Sequence, residues 1–127
     1  MPDRGSRDLK VLLVEDVEDT RLFMRLELED QGFIVFEAEN GQIAVELAAR
    51  EKPDVILMDL MLPTMDGFAA TKLIRQNEQL KKVPIIAVTA HQQDDFRSDA
   101  KASGFDAYVT KPIDAKWLKG LIAGLLS

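Results

Sequence analysis

Short apolar runs alternate with longer amphipathic stretches along the whole chain. Strands are predicted at about 10–14 and 34–38, and from the apolar runs at 55–58, 85–88 and 107–109. Helices are predicted at about 17–31, from just after Asn40-Gly41, and at about 68–76, 94–103 and 115–126. Gly32, Gly104 and the prolines at 53, 63, 84 and 112 punctuate these elements. On the first helix, Thr20, Phe23, Met24, Glu27 and Leu28 share a stripe expected to face the sheet, with Leu22 and Leu26 opposite. Trp117 is expected to pack the last helix onto the sheet, and the methionines to fill the core. Strands apolar on both faces and separated by helices imply a parallel sheet covered on both sides, with right-handed crossovers. The expectation is an α/β, doubly wound, five-stranded domain with five helices. It occupies residues 9–127 after a flexible leader of residues 1–8.

Composition narrows the chemistry. With 127 residues the chain suffices for one domain with a full core. It has no cysteine, which excludes disulfides and thiolate metal sites. No apolar run approaches the roughly 20 residues of a membrane span, and nothing resembles a signal peptide, so a cytoplasmic protein without membrane contact is expected. A net charge of −6 argues against nonspecific nucleic-acid binding.

Five residues at or just past the ends of strands carry the functional signal: Glu15, Asp16, Asp59, Thr89 and Lys111. In an open parallel sheet the C-terminal strand ends share one edge, and ligands bind in the crevice beyond it. Three acids, a hydroxyl and an ammonium therefore converge. Asp59 is a natural nucleophile, since a carboxylate accepts a phosphoryl group as an acyl phosphate. Two like charges about 5 Å apart at an effective dielectric near 20 repel by roughly 3 kcal/mol, and a hard divalent cation turns that repulsion into attraction. Mg²⁺ suits such a site, because it takes carboxylate and phosphate oxygens and keeps several waters. Lys111 supplies a mobile positive charge and Thr89 a hydroxyl donor to phosphate oxygens.

These residues resemble the receiver domains of two-component response regulators. The resemblance runs from about Leu9 to Leu126 and rests on Val14-Glu15-Asp16, on Met58-Asp59-Leu60-Met61-Leu62-Pro63 followed by Asp66-Gly67, on Val88-Thr89-Ala90, and on Tyr108-Val109-Thr110-Lys111-Pro112. It implies a flavodoxin-like strand order 2-1-3-4-5. It also implies that Asp59 is the phosphorylated residue and that Asp16, Asp59 and the Met61 carbonyl bind Mg²⁺, with Glu15 holding a metal-bound water. Lys111 and Thr89 would contact the phosphoryl group, and Tyr108 would be the aromatic switch that follows Thr89. The side chains of Met61 and His91 would flank the path of the hydrolytic water. The Lys111–Pro112 bond is expected to be cis. The implied donor is a sensor histidine kinase or a histidine phosphotransfer protein, docking on the first helix. The expected outcome is a non-enzymatic, stand-alone receiver acting on an unidentified downstream protein, by relay or by phosphorylation-dependent homodimerisation. A receiver fragment of a hybrid histidine kinase is the alternative.

Two other classes fit less well. An aspartyl-nucleophile phosphohydrolase of the haloacid dehalogenase type wants a second acid two residues after the nucleophile, where Met61 stands. A nucleotide- or flavin-binding module needs a glycine- or hydroxyl-rich loop after the first strand, where Glu15-Asp16-Val17-Glu18-Asp19 would repel a phosphate without a metal.

Overall fold

Five parallel strands stand in the order β2-β1-β3-β4-β5. They are β1 (Lys10–Val14), β2 (Ile34–Ala38), β3 (Val55–Asp59), β4 (Ile85–Thr89) and β5 (Ala107–Thr110). The computed structural model describes residues 9–62, 64–90 and 104–127. Four α-helices lie among the described residues: α1 (Glu18–Asp30), α2 (Gly41–Glu51), α3 (Gly67–Arg75) and α4 (Ala115–Leu126), with a 3₁₀ turn at Glu78–Leu80. The helix expected at about 94–103, the leader, Pro63 and His91 lie outside them.

Alternation along the strands sorts the core into two layers. Leu12, Val14, Ile56, Met58, Ile85 and Ala87 face α2 and α3, where they meet Ala44, Ala48, Ala70 and Ile74. Val11, Leu13, Val55, Leu57, Ile86 and Val88 face α1 and α4, packing on Met24, Leu28, Leu118 and Ile122. β1, β3 and β4 are buried on both faces, as the continuous apolar runs require.

Helix starts carry their own signals. Asn40, Asp66 and Asp114 each cap the following helix through a side-chain oxygen. Helix α1 differs: its N-cap, Val17, offers no side-chain bond.

Two expectations about helix faces are corrected. Phe23 is 63% exposed and does not face the sheet. Only Met24 and Leu28 of the expected stripe are buried, and the half-buried arc continues through Arg21 and Arg25, whose stems cover the sheet-side flank. That turns Phe23 out toward Leu22 and Leu26, which are exposed as expected. Trp117 is 60% exposed, because the buried stripe of α4 runs through Ala115, Leu118 and Ile122 and leaves position 117 beside it.

At the opposite end of the sheet from the strand C-termini, Arg75 gathers several segments. Its guanidinium donates to the carbonyls of Leu80, Lys81, Val83 and Gly104 and to the Asp106 carboxylate. The same Asp106 oxygen accepts the Ile85 N–H at 2.9 Å. One side chain thus fastens the entries of β4 and β5.

Candidate functional site

The strand order alone explains how residues so distant in sequence meet. β3 lies between β1 and β4, so Asp59, its last residue, has the end of β1 on one side and Thr89, the last residue of β4, on the other. Registers sharpen this: Asp59 pairs with Val88, and Thr89 with Thr110. The Leu60 N–H bonds the Val88 carbonyl at 3.2 Å, and the Lys111 N–H bonds the Thr89 carbonyl at 2.8 Å, which carries the ladders just past the last strand residues.

Alternation also decides which side chains share a face. Glu15, Asp59 and Lys111 continue the odd-numbered positions of β1, β3 and β5 that point toward α1 and α4. Glu15 and Asp59 are buried, two carboxylates in a low-dielectric place. Lys111 reaches both: its Nζ hydrogen-bonds Glu15 Oε1 and lies 2.9 Å from Asp59 Oδ2. Burial lowers the Lys111 pKa, but the hydrogen bonds to Glu15 and Asp59 and the charges of those acids outweigh it, and the ammonium's pKa is raised above its ordinary value of 10.5. The Lys111–Pro112 bond is cis, as expected.

The other Asp59 oxygen, Oδ1, accepts the Met61 N–H at 2.9 Å. Met61 itself is exposed. Thr89 is buried, and Tyr108 is half-buried against the α2–α3 layer. Tyr108 pairs with Ala87, two residues before Thr89, so both side chains project from the same face of neighbouring strands. Beside them opens a groove of about 290 Å³ bordered by Tyr108, Pro112 and Trp117.

Glu15, exposed Asp16 and Asp59 each present a carboxylate oxygen within 4.8 Å of the others. Among the described residues one ammonium, Lys111, bonds into these three carboxylates, so the four groups together carry a formal charge of −2 (−3 + 1). An all-oxygen donor set with that charge fits a hard divalent cation, and its partly exposed rim leaves room for water and a phosphate oxygen. All five residues singled out from sequence occupy one strand-end crevice. Sequence reasoning missed Arg21 and Glu37, which brace Glu15 from behind. The one sequence signal was a helix start whose cap position holds Val17.

Comparison with known proteins agrees with this geometry. The family model described as the response regulator receiver domain matches residues 11–123. The protein PilH of Pseudomonas aeruginosa is 36% identical over 118 residues, covering 93% of this chain and 98% of PilH. The sensor protein GacS of Pseudomonas syringae is 37% identical over 124 residues, which are 95% of this chain and 14% of GacS. Among solved structures, the receiver domain of the sensor histidine kinase PA1611 from Pseudomonas aeruginosa, with a magnesium ion coordinated in its active-site cleft, superposes with a TM-score of 0.86 at 34% identity, over 94% of this chain and 98% of that one. With its acidic crevice, its 2-1-3-4-5 sheet and a family match over most of its length, the chain belongs to the response regulator receiver domains of two-component signalling.

Proposed function

We propose that Asp59 accepts a phosphoryl group from a phosphohistidine on a sensor kinase or phosphotransfer protein. The observation that carries this reading is Asp59 itself: a buried carboxylate at a strand end, bonded to Lys111 and within reach of two further acids. In the transfer, an Asp59 oxygen forms a bond to phosphorus as the phosphorus–nitrogen bond of the donor breaks, and the electron pair returns to the donor imidazole. Lys111 then turns from the carboxylate to a phosphoryl oxygen, and the Thr89 hydroxyl donates to another. Asp16, Asp59 and the Met61 carbonyl would hold Mg²⁺, with Glu15 on a metal-bound water; the ion supplies neutralisation of the charge gathered there.

On this reading the protein is a switch and not an enzyme. The new negative charge draws Thr89 toward it, Tyr108 follows, and the population shifts to a state that binds a downstream protein or a second copy, or passes the phosphoryl group onward. The reading places the protein in the cytoplasm, where a kinase has ATP with which to charge its histidine.

Incubation with a small acyl phosphate and Mg²⁺, followed by intact-mass measurement, tests it. A single added phosphoryl group is expected, absent without metal and absent in Asp59→Asn. Labelling that persists in Asp59→Asn would remove Asp59 from the role.

A further inference from the structure

Glu15 is held on every side. Its N–H donates to the Ala38 carbonyl at 3.1 Å, which extends the β1–β2 ladder by one rung. Its Oε2 accepts the Val17 N–H at 3.1 Å, and its Oε1 accepts from Lys111. The remaining group, the backbone carbonyl, accepts Arg21 Nη1 at 2.9 Å. Arg21 stands in the first turn of α1, and its side chain is only 16% exposed.

The Arg21 guanidinium is itself aimed. Its Nε donates to Glu37 Oε1 on β2 at 3.2 Å. The other Glu37 oxygen lies 3.3 Å from Arg25 Nε, an ion pair from the next turn of α1 without hydrogen-bond geometry. Glu37 therefore fixes the plane of the Arg21 fork, and the fork fixes the Glu15 carbonyl. That carbonyl belongs to the peptide joining Glu15 to Asp16. Because a peptide unit is planar, holding its oxygen also sets the direction in which the chain enters Asp16. Where the loop could have been anchored by a helix cap, Val17 offers none.

We propose that Arg21, oriented by Glu37, is a positioning residue for the acidic pair: it sets the Glu15–Asp16 peptide plane so that both carboxylates face Asp59 before a cation arrives. The inference rests on the proposed metal-dependent function of this site. Charge and position pull in opposite directions here, which makes the idea decidable. Arg21 is a cation near three carboxylates, so if it acted only through its charge, removing it would tighten Mg²⁺ binding. If it acts by holding the peptide, removing it weakens binding. Substituting groups that orient metal ligands typically lowers affinity by about 10- to 100-fold.

Mg²⁺ binding is measured by titration calorimetry on the metal-free protein without phosphodonor, for the unsubstituted protein, Arg21→Ala and Glu37→Gln. The expected result is a loss of about tenfold in Arg21→Ala, with the phosphorylation rate at saturating Mg²⁺ restored to that of the unsubstituted protein. Amide hydrogen exchange of the metal-free variant is expected to speed up at Asp16 and Val17. Glu37→Gln, which keeps Arg21 but loosens its anchor, is expected to lose affinity in the same direction by a smaller factor. Arg21→Met, which keeps the apolar stem but loses both the charge and the fork, is the deciding variant if Arg21→Ala does not fold, since charge alone would tighten its Mg²⁺ binding and lost positioning would weaken it. Unchanged or tighter Mg²⁺ binding in a folded Arg21→Ala, or in Arg21→Met in its place, overturns the proposal. If the unsubstituted protein neither binds Mg²⁺ nor is labelled at Asp59, the proposed function fails, a result distinct from failure of this inference.

Discussion

Lys111 Nζ lies 2.9 Å from Asp59 Oδ2 and also hydrogen-bonds Glu15, so a single ammonium bridges buried acids from two neighbouring strands. The ammonium offsets part of the repulsion between these acids, and on the proposed function it would move to a phosphoryl oxygen.

A pH dependence follows from that bridge. Folding raises the Lys111 pKa, so its stabilising contribution is fully present below the ordinary value of 10.5 and is lost as pH climbs through the higher folded value. Lys111→Met, which takes a hydrogen-bond partner from two buried acids, is expected to lower the stability of the metal-free protein by about 1–3 kcal/mol at neutral pH. The gap between the two proteins is expected to stay level to about pH 10 and to shrink above it. Urea denaturation from pH 7 to 11.5 checks this; a gap that closes between pH 7 and 9 would contradict it.

The exposed apolar trio on α1 gives a second expectation. Leu22, Phe23 and Leu26 form a continuous apolar surface beside the acidic crevice end of the helix. Leu22→Ser with Leu26→Ser is expected to slow transfer from a histidine-phosphorylated donor protein by about tenfold, while leaving labelling by a small acyl phosphate unchanged. Stability is expected to shift by no more than about 0.5 kcal/mol per exposed substitution. Equal transfer rates for the variant and the unsubstituted protein would rule out this surface as the donor's dock.

Phosphoryl lifetime is a third. Met61 anchors Asp59 through its backbone N–H while its apolar side chain is exposed. It cannot orient a water by hydrogen bonding. Met61→Asn is therefore expected to shorten the phosphorylated state several-fold, read as decay of the phosphoprotein mass after donor removal. Decay at the original rate would show that shielding by Met61 does not set the lifetime.

A fourth concerns the loop after β3. A Cβ placed on Gly67 would sit 2.3 Å from the Asp59 carbonyl oxygen and 3.0 Å from the Leu60 Cα. Both are backbone atoms that cannot swing aside. Gly67→Ala is expected to cost about 1–3 kcal/mol in chemical denaturation and to reduce Asp59 labelling, because relief of the clash moves the strand end that carries Asp59. Retained stability and labelling would mean that the loop shifts freely.

The sequence was most readable where a rule links neighbours. Continuous apolar runs identified β1, β3 and β4, and their ends placed Glu15, Asp59 and Thr89 at one edge. Asp66-Gly67 was legible as a motif, although the reason for the glycine, its close approach to Asp59, is visible only in three dimensions. Helix periodicity showed which residues of α1 share a side but not where the buried side ends. That boundary depends on Arg21 and Arg25 turning to Glu37, a strand residue no spacing rule connects to them. The same limit hid Arg75, whose partners lie between 5 and 31 positions away.

Arg75 gives the domain a moored end. One guanidinium ties the entries of β4 and β5 at the end of the sheet far from the crevice. β4 has five residues, so its last residue, Thr89, lies about 13 Å from the mooring at roughly 3.3 Å per residue. If Asp59 is phosphorylated as proposed, a pull on Thr89 would act at the edge of the sheet that bears the crevice, beside the surface around Tyr108.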